Sequence, residues 1–155
     1  MTFFTRTFTQ RLDFPESMDT KTRELLLVCA QKARLWTEEN YSTFCLYDNM
    51  MGMCAIASGR LWMLLKQQGI TARLMMAELP SGLCHVFVEY CGAIIDVTAT
   101  QFNKEEIVIK DIGKTSEWFW DANYVFKDVL SLRLNQIDTQ WTPSQIAVVF
   151  EDLDE

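Results

Sequence analysis

Hydrophobic and polar positions follow two different periods along the chain, and together they predict an α+β fold. Over residues 20–38 apolar side chains form one stripe with charged residues opposite, which is typical of a helix that packs on a core. Residues 15–19 break the preceding pattern and cap this helix. A second helix is expected from Cys54 to about Gln68, with Gly69 as the stop signal after a cation-bearing last turn.

Strand-like alternation follows Gly69 and predicts an antiparallel sheet against which the second helix packs. Cys91-Gly92 is a two-residue turn between two of its strands. Residues 3–14 alternate more weakly and fit either an edge strand or an extended arm over the core. The expected strands are residues 70–78, 84–90, 93–98 and 106–110.

The other segments carry a weaker pattern. Residues 39–52 are expected to form a loop, with Asp48, Asn49 and Gly52 as turn and cap residues before the second helix. Residues 124–134 fit either a strand pair or a helix. A capping box with proline at the first helical position, residues 142–145, predicts a short helix through Phe150.

Composition narrows the class of protein. With 155 residues and 49% hydrophobic content, the chain is expected to form one domain over residues 1–155, with its core at about 20–110. The formal net charge of −7 disfavours nucleic acid and anionic membrane surfaces as partners. No apolar run is long enough to predict a membrane span, and no basic region with an apolar core marks a secretory signal. We therefore expect a cytoplasmic protein, or one delivered from the cytoplasm without such a signal.

The cysteines and the histidine bear on metals and cofactors. Five cysteines occur without a CxxC pair beside a single histidine, which argues against a zinc site. We expect no metal and no cofactor. An odd, unpatterned set of cysteines fits a reducing compartment, and four of the five are interpreted as small buried hydrophobes or bystanders: Cys29, Cys45, Cys84 and Cys91.

The fifth cysteine, Cys54, stands at the expected first turn of the second helix. A thiol there meets the positive end of the helix dipole, which favours the nucleophilic thiolate. His85 is the single histidine of the chain and therefore the one imidazole available as a base. It lies in the strand-like run at residues 84–90.

The hairpin register predicts a partner for that imidazole. Asp96 should share a face with His85 as a diagonal neighbour, about 7 Å away at the backbone, where a carboxylate can reach the ring. The sequence thus predicts a nucleophile, a base and an orienting acid in Cys54, His85 and Asp96. The cross-strand pairs that give this register are Tyr90 with Ala93, Phe87 with Asp96, and His85 with Thr98.

Each of these residues also has a structural interpretation. Cys54 fits an inert buried thiol, since free cysteine is among the most buried residue types. His85 fits a strand histidine bonded to a carbonyl, and Asp96 fits a strand end that accepts backbone hydrogen bonds. Aspartate is disfavoured inside strands, however, so its position in a β-rich run needs a reason. Three further residues near the site are interpreted as structural: Ser58, Cys84 and Thr98.

The order of these parts resembles the transglutaminase-like branch of the papain-like cysteine enzymes. The resemblance covers about residues 50–102. It comprises a cysteine at a helix start, a Gly-Ile entry into a strand, a histidine opening the next strand and Asp-x-Thr closing the one after. The matching segments are residues 52–54, 69–73, 85–89 and 95–98, and Gln101-Phe102 is similar to bacterial and phage members and to some papain-fold deamidase toxins.

This resemblance implies a Cys–His–Asp site on a papain/transglutaminase-like core. Family members include protein crosslinkers, proteases, peptide amidases, glutamine deamidases and members that have lost catalysis. We therefore expect cysteine-dependent acyl transfer or hydrolysis at an amide of a protein or peptide. The family's oxyanion donor, a side chain upstream of the cysteine, is matched by position alone at Asn49. The alternatives are an inactive scaffold that binds proteins and an arylamine-type acyltransferase, which shares the triad order.

Overall fold

A computed structural model of the chain describes residues 6–41, 53–78, 84–113 and 133–136. The described residues form two α-helices, six strands and one 3₁₀ turn, so the α+β class is confirmed. The predicted helix at 142–150 and the loop residues Asp48, Asn49 and Gly52 lie outside the described residues. In chain order the elements are β1 (Gln10–Leu12), α1 (Thr20–Asn40), α2 (Cys54–Gln67), β2 (Arg73–Glu78), β3 (Cys84–Tyr90), β4 (Ala93–Asp96), the 3₁₀ turn (Ala99–Phe102), β5 (Ile107–Asp111) and β6 (Arg133–Gln136).

The strands form one mixed sheet in the order β1-β5-β4-β3-β2-β6. Four of the five neighbouring pairs are antiparallel. The exception is the pair at the β1 edge, where β1 runs parallel to β5 with Gln10 opposite Ile107. The prediction of a purely antiparallel sheet is therefore wrong at this edge. Alternation over residues 3–14 indicates a strand but carries no information on its direction, which the distant partner β5 decides.

Both helices begin and end close to the predicted positions. The Asp19 side chain caps α1 by accepting the Thr22 backbone N–H at 2.7 Å, which confirms the predicted cap. α2 begins at Cys54, as predicted, but its N-cap residue is Met53, which makes no side-chain capping bond. Gly69 adopts a φ of 79°, and its backbone N–H donates to the Lys66 carbonyl at 3.0 Å. This left-handed C-terminal turn is the conformation that glycine adopts without strain.

One face of the sheet carries the helices and the main core. α1 and α2 pack on each other and α2 packs on β3 and β2, with Leu26, Leu61 and Leu65 fully buried between the layers. Val86 and Val88 of β3 point into this core, so alternation turns His85 and Phe87 to the opposite face. Neither helix combines the length and apolar character required to cross a membrane.

The hairpin between β3 and β4 confirms the predicted turn and register. Cys91 and Gly92 have φ values of 48° and 85°, which fit a type I′ turn, and Tyr90 pairs with Ala93. The ladder between β3 and β4 ends at the pair of Val88 and Ile95, however, so the expected pairs of Phe87 with Asp96 and of His85 with Thr98 are not part of it. β4 itself ends at Asp96, which pairs with Val108 of β5. The chain leaves the sheet there because the Thr98 backbone N–H donates to the Asp96 side chain at 2.9 Å rather than to a strand neighbour.

Candidate functional site

The single imidazole of the chain is held by a buried carboxylate. His85 Nε2 lies 2.6 Å from Asp96 Oδ2, and the two side chains are 1% and 0% exposed. β3 and β4 bring them together because the tight turn at Cys91-Gly92 sets their register. The second Asp96 oxygen accepts the Thr98 backbone N–H at 2.9 Å and its hydroxyl at 3.4 Å. Both carboxylate oxygens are therefore engaged, which fixes the direction in which Asp96 meets the ring.

Cys54, the first residue of α2, is half-buried, and its thiol lies close enough to the His85 ring to contribute to the raised pKa of that ring. The structure thus brings the three predicted residues, Cys54, His85 and Asp96, into one contiguous group. Because Nε2 is taken by Asp96, Nδ1 is the ring nitrogen left to exchange a proton with the thiol.

Opposing effects set the charge of the ring. Burial is the largest influence and lowers the pKa of His85, but the charge and hydrogen bond of Asp96, with smaller contributions from Cys54, raise it to about 10. The ring therefore carries its proton at neutral pH. Cys54 therefore lies beside a positively charged ring, at the N-terminal end of α2.

Ser58 connects the cysteine helix to the histidine strand. It is fully buried, and its hydroxyl donates to the Val86 carbonyl at 3.1 Å. Ser58 lies one turn after Cys54, and Val86 is the neighbour of His85. The bond therefore fixes α2 against β3 close to the thiol and the ring, in keeping with its interpretation as structural.

Gln101 and Phe102, on the 3₁₀ turn, also reach the ring, although the sequence had not marked them as site residues. Gln101 Nε2 lies 3.0 Å from His85 Nδ1, and the Phe102 ring meets the imidazole edge to face with centroids 4.9 Å apart. Two signals were available in the sequence: the resemblance noted for Gln101-Phe102, and the Asp-x-Thr segment, whose turn brings the residues that follow back over the ring.

A buried arginine holds this turn in place. Arg34 of α1 is 4% exposed, and its Nη1 donates to the Val97 carbonyl at 3.0 Å and to the Thr100 hydroxyl at 3.1 Å. Its Nε also donates to Glu38 at 2.8 Å. Arg34 thus connects α1 to the segment between Asp96 and Gln101.

The remaining predictions for the site concern Asn49 and the other four cysteines, and the structure tests only some of them. Asn49, the predicted oxyanion donor, and Cys45 lie outside the described residues, as does the side chain of Cys84. Cys29 is buried as predicted, and burial, partly offset by the charge of Lys32, raises the pKa of its thiol. Cys91 is exposed in the hairpin turn, which fits its interpretation as a bystander and not as a buried hydrophobe.

The site places the Cys54 thiol, the His85 imidazole and the Asp96 carboxylate next to one another in that order. These are the groups with which a cysteine can attack a carbonyl carbon. Within residues 6–41, 53–78, 84–113 and 133–136, no group of three histidine, cysteine or acidic side chains is placed to hold a metal ion. No protein-family model, curated protein or solved structure matches this chain.

Proposed function

We propose that this protein is a cysteine-dependent enzyme that carries out acyl transfer or hydrolysis at an amide through Cys54, His85 and Asp96. The observation that carries the proposal is an imidazole held between a buried carboxylate and the thiol at a helix start. A histidine that merely fills a strand position requires neither neighbour. A base oriented by an acid and adjacent to a thiol is the combination that activates a nucleophile.

The first half of the reaction forms a thioester. In the proposed resting pair, His85 already holds the Cys54 proton on Nδ1 while Nε2–H donates to Asp96, and the thiolate sulfur bonds to the carbonyl carbon of the amide. The first backbone N–H groups of α2 have no partner within the helix, so they can donate to the oxyanion that forms. The C–N bond then breaks as the imidazolium gives its Nδ1 proton to the leaving nitrogen.

The second half releases the acyl group. Water or an amine attacks the thioester carbon, His85 takes the proton of the attacking group, and the C–S bond breaks. The proton returns to the sulfur, which restores the thiol. Attack by water gives a carboxylic acid, that is, hydrolysis or deamidation, whereas attack by an amine gives a new amide.

The order of the cysteine helix, histidine strand and aspartate strand supports a papain/transglutaminase-like core for this α+β protein. On that basis we infer a protein or peptide substrate, reacting at glutamine side chains or peptide bonds, in a cytoplasmic setting. The net charge of −7 supports this class over polyanionic substrates, since a negative field slows their encounter.

Alkylation with iodoacetamide tests the site directly, and two other cysteines of the same chain serve as internal controls for the rate at Cys54. Cys91 is exposed and outside the site, whereas Cys29 is buried. At about pH 6 we expect Cys54 to react at least ~10-fold faster than Cys91 despite its lower exposure, because a thiolate stabilised by an imidazolium persists at low pH. Peptide mapping by mass spectrometry reads the three thiols in one sample. His85→Ala should remove the advantage of Cys54.

Turnover is tested with glutamine-mimicking and peptide-mimicking electrophiles and the corresponding amide substrates. Cys54→Ala should abolish turnover, and His85→Ala should lose nearly as much, because residues that act as a unit are not additive. Cys91→Ser should retain full activity. If both site variants fold and the protein's biological activity is unchanged, the scaffold is a protein-binding module and the enzyme proposal fails.

A further inference from the structure

Four side chains close a circuit of hydrogen bonds around the proposed base. His85 Nε2 meets Asp96 Oδ2 at 2.6 Å, and His85 Nδ1 meets the Gln101 amide nitrogen at 3.0 Å. That nitrogen also donates to the Thr98 hydroxyl at 3.3 Å, and the hydroxyl lies 3.4 Å from Asp96 Oδ1. The amide therefore shares with Cys54 the one ring nitrogen that the proposed reaction protonates and deprotonates.

An amide and a hydroxyl are both able to donate and to accept. When Nδ1 is unprotonated, the Gln101 N–H₂ group can donate to it, in the orientation that the structure shows. When Nδ1 carries a proton, a half-turn of the amide presents its oxygen instead, and the terminal torsion of glutamine is broad enough to allow this. Thr98 can accept from the nitrogen in the first state or donate to the oxygen in the second.

We propose that Gln101 is a positioning residue that serves Nδ1 of His85 in both charge states, donating to the neutral ring and accepting from the imidazolium. The inference rests on the proposed function, because a base that gains and loses a proton in every cycle requires a partner that can follow it. Among the residues that the structure describes, the titratable groups that act on the ring are Asp96 from β4 and Cys54 from α2, and the Phe102 ring packs against it without charge. Gln101 is thus the uncharged polar partner among these neighbours.

Two substitutions separate the donor and acceptor roles. Gln101→Glu keeps the size of the side chain but only accepts when ionised, whereas Gln101→Met removes both roles at similar length. Gln68→Met, on the exposed residue at the other end of α2, makes the same chemical change away from the site. Because the chain has one histidine, ¹⁵N NMR of the ring reports its charge and tautomer without ambiguity.

Gln101→Glu should keep the ring charged to a pH at least about one unit higher than in the unsubstituted protein, since a nearby carboxylate favours the imidazolium. Alkylation of Cys54 should persist within about 3-fold, yet turnover should fall at least ~10-fold, because the ring retains the proton needed by the leaving nitrogen. Gln101→Met should move the titration midpoint by less than about half a unit while alkylation and turnover both fall, because the lost amide served both states.

Several results would overturn the proposal. One is a His85 titration that is identical in Gln101→Glu and in Gln68→Met. Another is a midpoint that moves by more than about one unit in Gln101→Met, since the amide would then serve one charge state alone. If Gln101→Glu does not fold, Thr98→Val takes its place, and it should repeat the behaviour of Gln101→Met because the amide loses its anchor.

The ring titration does not require turnover, so the two proposals fail separately. A Cys54 that reacts no faster than Cys91 counts against the enzyme, whereas the NMR results still decide the role of Gln101. Conversely, an active enzyme with an unaltered titration in both Gln101 variants retains the proposed function and excludes this positioning residue.

Discussion

A single carboxylate decides the charge of His85. Burial alone would lower the pKa of the ring, and the charge and hydrogen bond of Asp96 are the main influences that raise it. The same carboxylate fixes the ring through Nε2, so orientation and charge depend on one side chain. Removing its charge should therefore change both.

Asp96→Asn should lower the pKa of His85 from about 10 to below its usual 6.5, because burial remains while the opposing charge is lost. The ring should then be neutral at pH 7, and ¹⁵N NMR of the single histidine measures this. Turnover should fall ~10²–10⁴-fold because the imidazole is no longer held in the correct orientation.

Glu89→Gln is the matched control for that substitution. Glu89 is a buried acid on the same face of β3, and its carboxylate pairs with Arg73 at 2.8 Å rather than with the ring. The His85 titration should be unchanged in this variant. An equal drop in both variants would mean that general loss of negative charge, and not contact with Asp96, sets the pKa of His85.

Among the elements, the β3–β4 turn positions the base and the acid. Cys91 occupies a left-handed conformation that few residues other than glycine, asparagine and aspartate adopt readily. Cys91→Asn places asparagine before Gly92, the pair that type I′ turns favour. We expect the free energy of unfolding to rise by roughly 0.5 kcal/mol, measured by urea denaturation. Cys91→Val, β-branched at the same φ, should lower it instead; stabilisation by both would contradict the turn assignment.

Arg34 connects α1 to the segment after β4, and its removal should destabilise the protein. Arg34→Met should lower the free energy of unfolding by about 3 kcal/mol, because buried acceptors lose their donors. Arg11→Met, on the exposed β1, should change it by less than about 0.5 kcal/mol. Equal effects in chemical denaturation would show that Arg34 does not hold this turn.

Elements that depend on local signals were predictable from the sequence. The cap at Asp19, the stop at Gly69 and the turn at Cys91-Gly92 each follow from the conformational preferences of one or two residues. The contact between His85 and Asp96 followed in turn, because register is determined by the hairpin. The direction of β1 and the approach of Gln101 to the ring depend on distant partners and on a 3₁₀ turn, for which sequence periodicity carries no signal.

Over the whole molecule, the raised pKa of His85 makes stability depend on pH. The folded state binds the ring proton more tightly than the unfolded chain, so this contribution is complete below about pH 6.5 and is lost as the pH rises toward 10. The free energy of unfolding should fall across that window. In Asp96→Asn the fall should be smaller, and urea denaturation at several pH values compares the two slopes. Parallel slopes would mean that other groups cause the dependence.

The parallel pairing of β1 with β5 has a consequence for how the protein is made. Thr9 and Glu106, bonded beside this pair, lie 97 positions apart in the chain. During translation β1 leaves the ribosome roughly 5–20 s before its partner, at ordinary elongation rates. Its three exposed residues, including Gln10 and Arg11, form a poor template for pairing with another nascent chain during that interval. β1, the first of the described strands, can therefore join the sheet only after β5 has been made.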